Sequence, residues 1–460
     1  MPYILKKYYP VRKVLFFLGE GSLIFLAING VYLFFSGIDI YRIEFLQDAT
    51  RALIATLVFQ LTLYFFDLYD LKRITSFMDT ATRMLQAFGI GCIILAGVYY
   101  SFPQLGISTT VFFSSYIAIC LALAAWRATY YIILRKKLFA QPILIIGTGK
   151  ISAQITEEIE DNQDSGYKIT AFIGNSEPSY NPNKALFIPL STPLAEACAK
   201  TKTDLIVVAL DDRRGTMPIE SLLECKLKGI TIDDGITFFE AITGKILVKN
   251  VNPAWLIFSE GFQTSRLSYS LKRVLDIFLS LSGLILSLPF SLLTALLIKK
   301  ESPGPIFYLQ ERVGERGQTF KIIKFRSMRQ DAEKDGAVWA MKNDTRITRT
   351  GGFIRKVRID EIPQMWNVLK GEMSFVGPRP ERPVFVEKLT EAIPYYSLRH
   401  SAKPGISGWA QVCYPYGASE EDALRKLEYD LYYIKNQSIF IDILVVFRTI
   451  KTVLFKKGSR

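Results

Sequence analysis

LKRVLDIFLSLSGLILSLPFSLLTALLIKK, residues 271–300, decides how this chain of 460 residues is organised. The stretch is apolar for longer than the roughly 20 residues a helix needs to cross a bilayer. It is basic at both ends, with Lys272 and Arg273 at one and Lys299 and Lys300 at the other. As a straight span it would carry everything after it outside, against the positive charge of its own exit, because basic flanks stay on the cytoplasmic side. Pro289 lies inside it, where a missing N–H and a ring clash break a helix. The reading adopted is a membrane helix over residues 272–300 that enters, bends near Leu286 to Pro289 and returns to the same face. Ser287 or Ser291 is then expected to satisfy the backbone groups freed at that depth.

The composition agrees with a membrane setting. Hydrophobic residues make up 50% of the chain and the formal charge is +13. Such a charge suits an anionic membrane surface or a phosphorylated substrate as well as nucleic acid. The long apolar segments select the first two, so no nucleic acid partner is expected. Five cysteines are scattered without C-x-x-C spacing, which excludes a zinc site or disulfide framework and leaves small hydrophobes in a reducing compartment. The single histidine, His400, excludes histidine-rich metal sites and reads as structural.

Upstream, Val14 to Phe35, Ala52 to Phe66, Met84 to Phe102 and Val111 to Leu134 read as four spans, with Glu20 in the first and Arg127 in the last. The first follows Lys6, Lys7, Arg12 and Lys13 and has no small-residue cleavage site, so it reads as a retained span with a cytoplasmic N-terminus. Lys72, Arg73 and Arg83 after the second span, and Arg135, Lys136 and Lys137 after the fourth, place those loops and all that follows in the cytoplasm. From Gln141 the pattern changes to PILIIGTGKISAQITEEI, a buried strand, a Gly147-x-Gly149 turn and a helix, with later strands at KITAFIG and DLIVVAL. This is the opening of a Rossmann-like α/β domain, where a glycine turn lets backbone N–H groups approach a phosphate. The second strand ends at Gly174 and Asn175, where a ribose-binding carboxylate belongs, and YNPNK places Pro182 where a dehydratase needs a helix turn. The domain therefore reads as a degenerate nucleotide-binding fold serving assembly or regulation. The expected organisation is a four-helix transmembrane region (1–137), a cytoplasmic Rossmann-like domain (138–265) and an α/β catalytic domain carried on the re-entrant helix (266–460). SIFIDILVVFRTIKTVLFKK, near the C-terminus, reads as a helix lying in the cytoplasmic interface.

Two clusters carry chemistry. FKIIKFRSM reads as a strand with Lys324 and Arg326 on one face, able to hold a diphosphate. In RKVRIDEIPQMWNVLKGEMSFVGPRP, residues 355–380, Pro363 is tolerated only in the first turn of a helix. A helix through PQMWNVLK then begins at about Asp360, with Asp360 near the N-cap and Glu361 in the first turn. There the helix dipole with Arg355 and Arg358 would hold a carboxylate ionised and attract phosphate. Asp360 can serve as nucleophile, with Glu361 as ligand to a magnesium ion that screens the substrate's charge.

KRVLDIF, GPIFYLQERVG, FKIIKFRSM, RIDEIPQMWNVLKGEMSFVGPRP and KPGISGWAQV, in this order over nearly all of residues 270–455, resemble the monotopic polyprenyl-phosphate phosphoglycosyl transferases. These are bacterial sugar transferases that start exopolysaccharide, capsule or O-antigen assembly. The four spans and the insert resemble the family's long form, and VVALDDRRG with GITIDDGITFFEAITGKI resembles its exopolysaccharide-linked members. The resemblance implies an inner-membrane enzyme that transfers a sugar phosphate from a UDP-sugar to undecaprenyl phosphate and releases UMP. It implies that Asp360 attacks phosphorus, Glu361 helps bind Mg2+, Arg355 binds phosphate, and Pro378, Arg379 and Pro380 lie next to the uridine diphosphate. Leu288 precedes Pro289 where the family often has serine, and Ser287 lies one residue earlier. Two other functions stay open at this point: a membrane-anchored sugar-nucleotide dehydratase built on the insert, and a non-catalytic assembly scaffold. A homodimer is the expected assembly, being the commonest symmetric one.

Overall fold

The computed structural model describes the chain except residues 1–10, 71–76, 139, 163, 182–183, 213–216, 252, 260, 263–264, 330–344, 416, 418 and 455–460. Lys6, Lys7, Lys72, Arg73 and Pro182, used above, lie outside the described residues, as do the side chains of Arg12 and Lys13. The chain forms two compact units, Met1–Ile242 and Thr243–Arg460.

The first unit opens with three helical runs, α1 (Val11–Phe65), α2 (Phe77–Ser101) and α3 (Thr109–Arg135). The first two expected spans are both in α1, which breaks at Gly37, where φ is 75° and ψ 164°. A side chain is strained there, and glycine is not. The polar stretch before Ala52, expected to link the spans, is helical instead. It is secured by Tyr41, whose hydroxyl donates to Asn29 at 3.0 Å, and by an Asp48–Arg51 ion pair at 3.1 Å. The two halves of α1 lie side by side, since Gln60 Nε2 donates to Phe17 O at 2.9 Å. Ile24, Ile28, Ala55, Phe59, Leu63, Phe88 and Leu123 join these helices in one apolar core. Glu20 and Arg127, the charges that interrupt two apolar runs, pair with each other at 2.8 Å, with Glu20 fully buried. Arg127 also donates to Leu68 O at 3.1 Å.

The insert is a five-stranded parallel sheet of β1 (Gln141–Ile146), β2 (Tyr167–Gly174), β3 (Leu186–Pro189), β4 (Leu205–Val208) and β5 (Thr231–Asp234), in the order β3-β2-β1-β4-β5. That is the doubly wound order, in which ligands bind beyond the carboxyl ends of the strands. Helices α4 (Lys150–Asp161), α5 (Leu194–Thr201), α6 (Ile219–Leu227) and α7 (Gly235–Thr243) complete it. The N-terminus of α4 is already occupied, because the Asp211 carboxylate accepts from Lys150 N at 2.8 Å and Ile151 N at 3.1 Å. A Cβ on Gly149 would run into that carboxylate, so the glycine serves an internal acid. The Tyr180 hydroxyl donates to Gly149 O at 3.1 Å.

The second unit carries α8 (Pro253–Phe258) and α9 (Arg266–Glu301). These are followed by the antiparallel pair β6 (Phe307–Val313) and β7 (Thr319–Phe325), then α10 (Arg349–Lys356) and α11 (Gln364–Lys370). The short parallel pair β8 (Ser374–Val376) and β9 (Gly405–Ser407) comes next, with α12 (Pro383–Ala392) between its strands and α13 (Trp409–Cys413), α14 (Glu420–Lys435) and α15 (Ile439–Leu454) after it. Among the described residues, helix α9 is the most apolar of the four helical runs long enough to cross a membrane, and it contains Pro289. It stays α-helical through the proline, with Ser287 Oγ donating to Leu284 O at 3.3 Å. A helix of 36 residues is about 54 Å long if straight.

Both ends of α9 are fastened to the same unit. Near the start, Arg273 donates to Val368 O at 2.6 Å and Leu369 O at 2.7 Å, and Asp276 accepts from Phe375 N at 3.0 Å. Lys272 pairs with the buried Asp442 of α15 at 2.8 Å. Near the finish, Ile298 packs with Phe325 and Ile354, and Glu301 accepts from Arg349 N at 2.7 Å. Between them Phe278, Leu281, Ile285, Leu286 and Phe290 are exposed apolar side chains. Helix α15 buries Ile441, Asp442 and Val445 and exposes Phe440, Ile443, Phe447 and Ile450, an apolar stripe at helical spacing.

Candidate active site

The site lies where β7, the turn before α11 and the Pro378–Pro380 loop meet. Asn367, fully buried on α11, fixes the first two to each other. Its Nδ2 donates to Lys321 O at 2.8 Å and its Oδ1 accepts from Ile323 N at 3.1 Å, so the side chain pairs with β7 as a neighbouring strand would. Ile322, Val368 and Met373 form the apolar layer beneath.

The acids are not in the first turn of the following helix. Asp360 and Glu361 occupy a 3-10 turn, Ile359–Glu361, and α11 begins at Gln364. Pro363 adopts helical angles and precedes α11, and the segment is closed by short-range bonds from Glu361 N to Arg358 O and from Ile362 N to Ile359 O. Proline has no N–H for an α-helical bond, and the tighter turn needs none from it. Arg358, two residues beyond the end of α10 and the N-cap of this turn, has φ 57°, a left-handed conformation that costs a non-glycine residue about 1–2 kcal/mol.

Three cations converge on Glu361, which is 9% exposed. Arg379 Nη2 lies 2.6 Å from Oε1, Lys324 Nζ 3.7 Å from Oε1, and Arg358 Nη1 3.4 Å from Oε2. Although burial alone would raise it, these charges hold the Glu361 carboxyl well below the usual carboxylate range. Asp360 differs: no side-chain ion pair or hydrogen bond engages it among the described residues. Burial first, and the neighbouring Glu361 charge second, push its carboxyl up to about 6, while Lys324, Arg355 and Arg379 pull it down. A carboxyl near 6 is still ionised at neutral pH, and of the two arginines expected to favour that form Arg355 is the one that does so. Arg358 spends its contact on Glu361, and Arg355 acts on Asp360 only through space. Burial pulls Lys324 below the usual lysine range, opposed by Glu361.

Thus Lys324, Arg355, Arg358, Asp360, Glu361 and Arg379 come together. Arg326 does not. Strand β7 ends at Phe325, so the alternation that put Arg326 beside Lys324 stops there. Its guanidinium instead caps the end of α9, donating to Ser302 O at 2.8 Å and Pro303 O at 2.9 Å. Pro378 and Pro380 flank Arg379 as expected. Pro289 and Ser287 lie in the exposed apolar middle of α9. Sequence reasoning missed Asn367 and Arg399 and read Arg273 only as a basic flank, whereas each bonds backbone carbonyls here; QERVG was noticed as a motif without a role for its arginine. His400 packs edge-on against Tyr396 with ring centroids 6.4 Å apart, as a structural residue does.

Among the described residues no cluster of three or more His, Cys, Asp or Glu side chains could cage a metal ion. Two adjacent carboxylates do fit magnesium in its usual mode, held by one or two carboxylates plus substrate phosphates and water. At this site Glu361 would exchange a cation for the metal.

Two family models match the chain: bacterial sugar transferase over residues 267–456, and CoA-binding domain over residues 64–216. Among curated relatives, UDP-N-acetylgalactosamine-undecaprenyl-phosphate N-acetylgalactosaminephosphotransferase of Aeromonas hydrophila is 45% identical over 239 residues, 52% of this chain and 56% of that protein. The chain thus spans about half the length of that relative. UDP-glucose:undecaprenyl-phosphate glucose-1-phosphate transferase of Klebsiella pneumoniae is 28% identical over 90% of both chains. An uncharacterized sugar transferase of Haemophilus influenzae is 32% identical over 70% of both.

Proposed function

We propose, from the premise that this chain belongs to the bacterial sugar transferase family, that it transfers a sugar 1-phosphate from a UDP-sugar to undecaprenyl phosphate at the cytoplasmic face of the inner membrane. The step would start an exopolysaccharide, capsule or O-antigen unit. The names of the Aeromonas and Klebsiella relatives support this reaction class. They differ in the sugar, so the sugar is a separate question.

One observation carries the mechanism: of two adjacent acids, Glu361 is gripped by three cations, while no side-chain ion pair or hydrogen bond engages Asp360 among the described residues. Asp360 attacks the sugar-bearing phosphorus of the UDP-sugar, and the bond to the UMP oxygen breaks. The sugar phosphate is then held as an acyl phosphate. An oxygen of undecaprenyl phosphate attacks the same phosphorus and restores the carboxylate. Arg355, Lys324 and Arg379 draw the diphosphate oxygens toward the pair, as fixed cations do for developing phosphoryl charge. Magnesium, when bound by Glu361 and the diphosphate, would screen the phosphate from the incoming carboxylate.

The re-entrant reading of α9 gains support from its anchorage. Both ends bond to the same unit, and a helix so tethered is poorly placed to set its ends on opposite sides of a hydrocarbon core about 30 Å thick. The exposed stripe of α15 suits a helix lying in the interface. A dehydratase on the insert is disfavoured, because Asp211 fills the helix end a dinucleotide phosphate would use.

The test uses the full chain in nanodiscs with a panel of labelled UDP-sugars. Without lipid phosphate the enzyme should release about one UMP per active site and gain a sugar phosphate on the peptide containing Asp360. Asp360→Asn should abolish both, and Glu361→Gln should chiefly weaken magnesium activation. UMP release only in the presence of the lipid would replace the covalent route with direct attack. No transfer from any UDP-sugar would refute the assignment.

A further inference from the structure

Four consecutive carbonyls of the loop that carries Arg379 are each held from another element. Pro378 O accepts from Gly405 N at 2.9 Å, Arg379 O from Arg399 Nη2 at 2.9 Å, Pro380 O from Arg312 Nη1 at 3.0 Å, and Glu381 O from Val313 N at 2.9 Å. The reason lies in the loop's composition. Pro378 and Pro380 supply no N–H, which removes two of the loop's own donors, and its carbonyls are met by outside ones.

Two of those donors are guanidinium groups that are themselves braced. Arg399 is buried, with Nη2 2.9 Å from Asp430 Oδ2 and Nη1 donating to the Tyr396 hydroxyl at 2.7 Å. Arg312 donates from Nε at 3.1 Å and Nη2 at 2.6 Å to Gln310 Oε1, and pairs with Glu381 at 3.5 Å. These contacts direct both groups at loop carbonyls rather than at the acid pair. Between the carbonyls they hold, Arg379 projects its own guanidinium to Glu361 at 2.6 Å.

We propose that Arg312 and Arg399 are positioning residues, which fix the Pro378–Glu381 backbone and so aim Arg379 at Glu361 and at the diphosphate of the substrate. The assignment rests on the transferase reading above. A misplacement of about 1 Å in such a cation costs on the order of 100-fold in rate, so the loss of one anchor is visible in turnover.

The experiment is a double-mutant cycle on the full chain in nanodiscs. Arg399→Met/Asp430→Leu removes a buried pair as a unit, avoiding a stranded carboxylate. That double variant and Arg312→Met are each made in the wild-type and the Arg379→Ala backgrounds. The readouts are kcat/KM for the UDP-sugar, the unfolding midpoint, and hydrogen exchange over residues 374–382. Each anchor variant should lose about 10-fold or more in kcat/KM with Arg379 present and under about 2-fold in its absence, since residues acting through one group are not additive. Exchange over the loop should quicken while the midpoint stays close to wild type. Equal losses in both backgrounds, or unchanged exchange, would overturn the proposal. If the wild-type chain transfers nothing from UDP-sugars, the transferase reading fails, and loop exchange alone then decides whether the two arginines anchor it. Should the Arg399–Asp430 variant fail to fold, Arg399→Lys and Arg312→Met carry the same comparison.

Discussion

His400 offers a quantitative check, because the chain has no other histidine. Burial first, and the neighbouring Arg399 charge second, push its imidazole down from 6.5 to about 4. The folded protein therefore keeps His400 neutral at pH values where the unfolded chain takes up a proton. Between these two pKa values the unfolded state binds more protons, so stability falls as the pH drops from about 6.5 toward 4. With those values the loss is about 2 kcal/mol at pH 5 and about 3 kcal/mol at pH 4. Asp360 runs the other way: its raised folded pKa makes the native state bind more protons between about 4 and 6, and stability there falls as pH rises. The raw pH profile mixes these with other carboxyls raised by burial, such as Glu428 and Asp430, so the comparison is with His400→Gln, which removes one titration and leaves the rest. Unfolding of both proteins by denaturant in detergent, followed by tryptophan fluorescence from pH 4 to 8, should show their difference in stability changing by about 2 kcal/mol between pH 7.5 and pH 5. Parallel profiles would mean that His400 titrates as in a free peptide, and the buried setting argued for it would be wrong.

Lys272→Met should destabilise the second unit by about 3–5 kcal/mol by leaving Asp442 buried without its cation, whereas Lys272→Met/Asp442→Leu should recover most of that loss in the unfolding midpoint. Arg358→Gly removes a left-handed non-glycine residue and should leave the unfolding free energy unchanged or raise it by about 1 kcal/mol, while the loss of its contact with Glu361 lowers turnover; a fall in stability with full activity would contradict both roles. Cysteines introduced at Arg273 and at Lys299 should both be labelled from the cytoplasmic side by a membrane-impermeant maleimide, and labelling of the second from outside would rule out re-entry.

The parts of the fold that depend on composition and period were legible. Apolar length marked the membrane helices, and strand–glycine–helix order marked the doubly wound insert. The acid pair and Lys324 were legible from their chemistry, and the Pro378–Pro380 loop was placed beside them by the family resemblance alone. Local geometry was less accessible. Pro363 was compatible with an α-helical first turn and with a preceding 3-10 turn, and the sequence pattern does not separate the two. Arg326 was misplaced because a two-residue period holds only while the strand lasts, and β7 ends one residue earlier. Arg312 and Arg399 stayed invisible because they bind loop carbonyls, and a carbonyl looks the same in every residue.

The Glu20–Arg127 pair sets a timetable for biogenesis. Its partners lie 107 positions apart, so at about 5–20 residues per second the ribosome delivers Glu20 to the membrane roughly 5–20 s before its cation exists. During that interval the first hydrophobic segment carries an acid without its cation, and a shallow position, close to the aqueous boundary or against the insertion machinery, costs it least. Arrival of the last segment of the bundle completes the pair and lets the first settle to its final depth. Truncated nascent chains ending before Arg127 should therefore hold their first segment loosely enough to be extracted by alkaline carbonate, and chains ending beyond residue 135 should resist it.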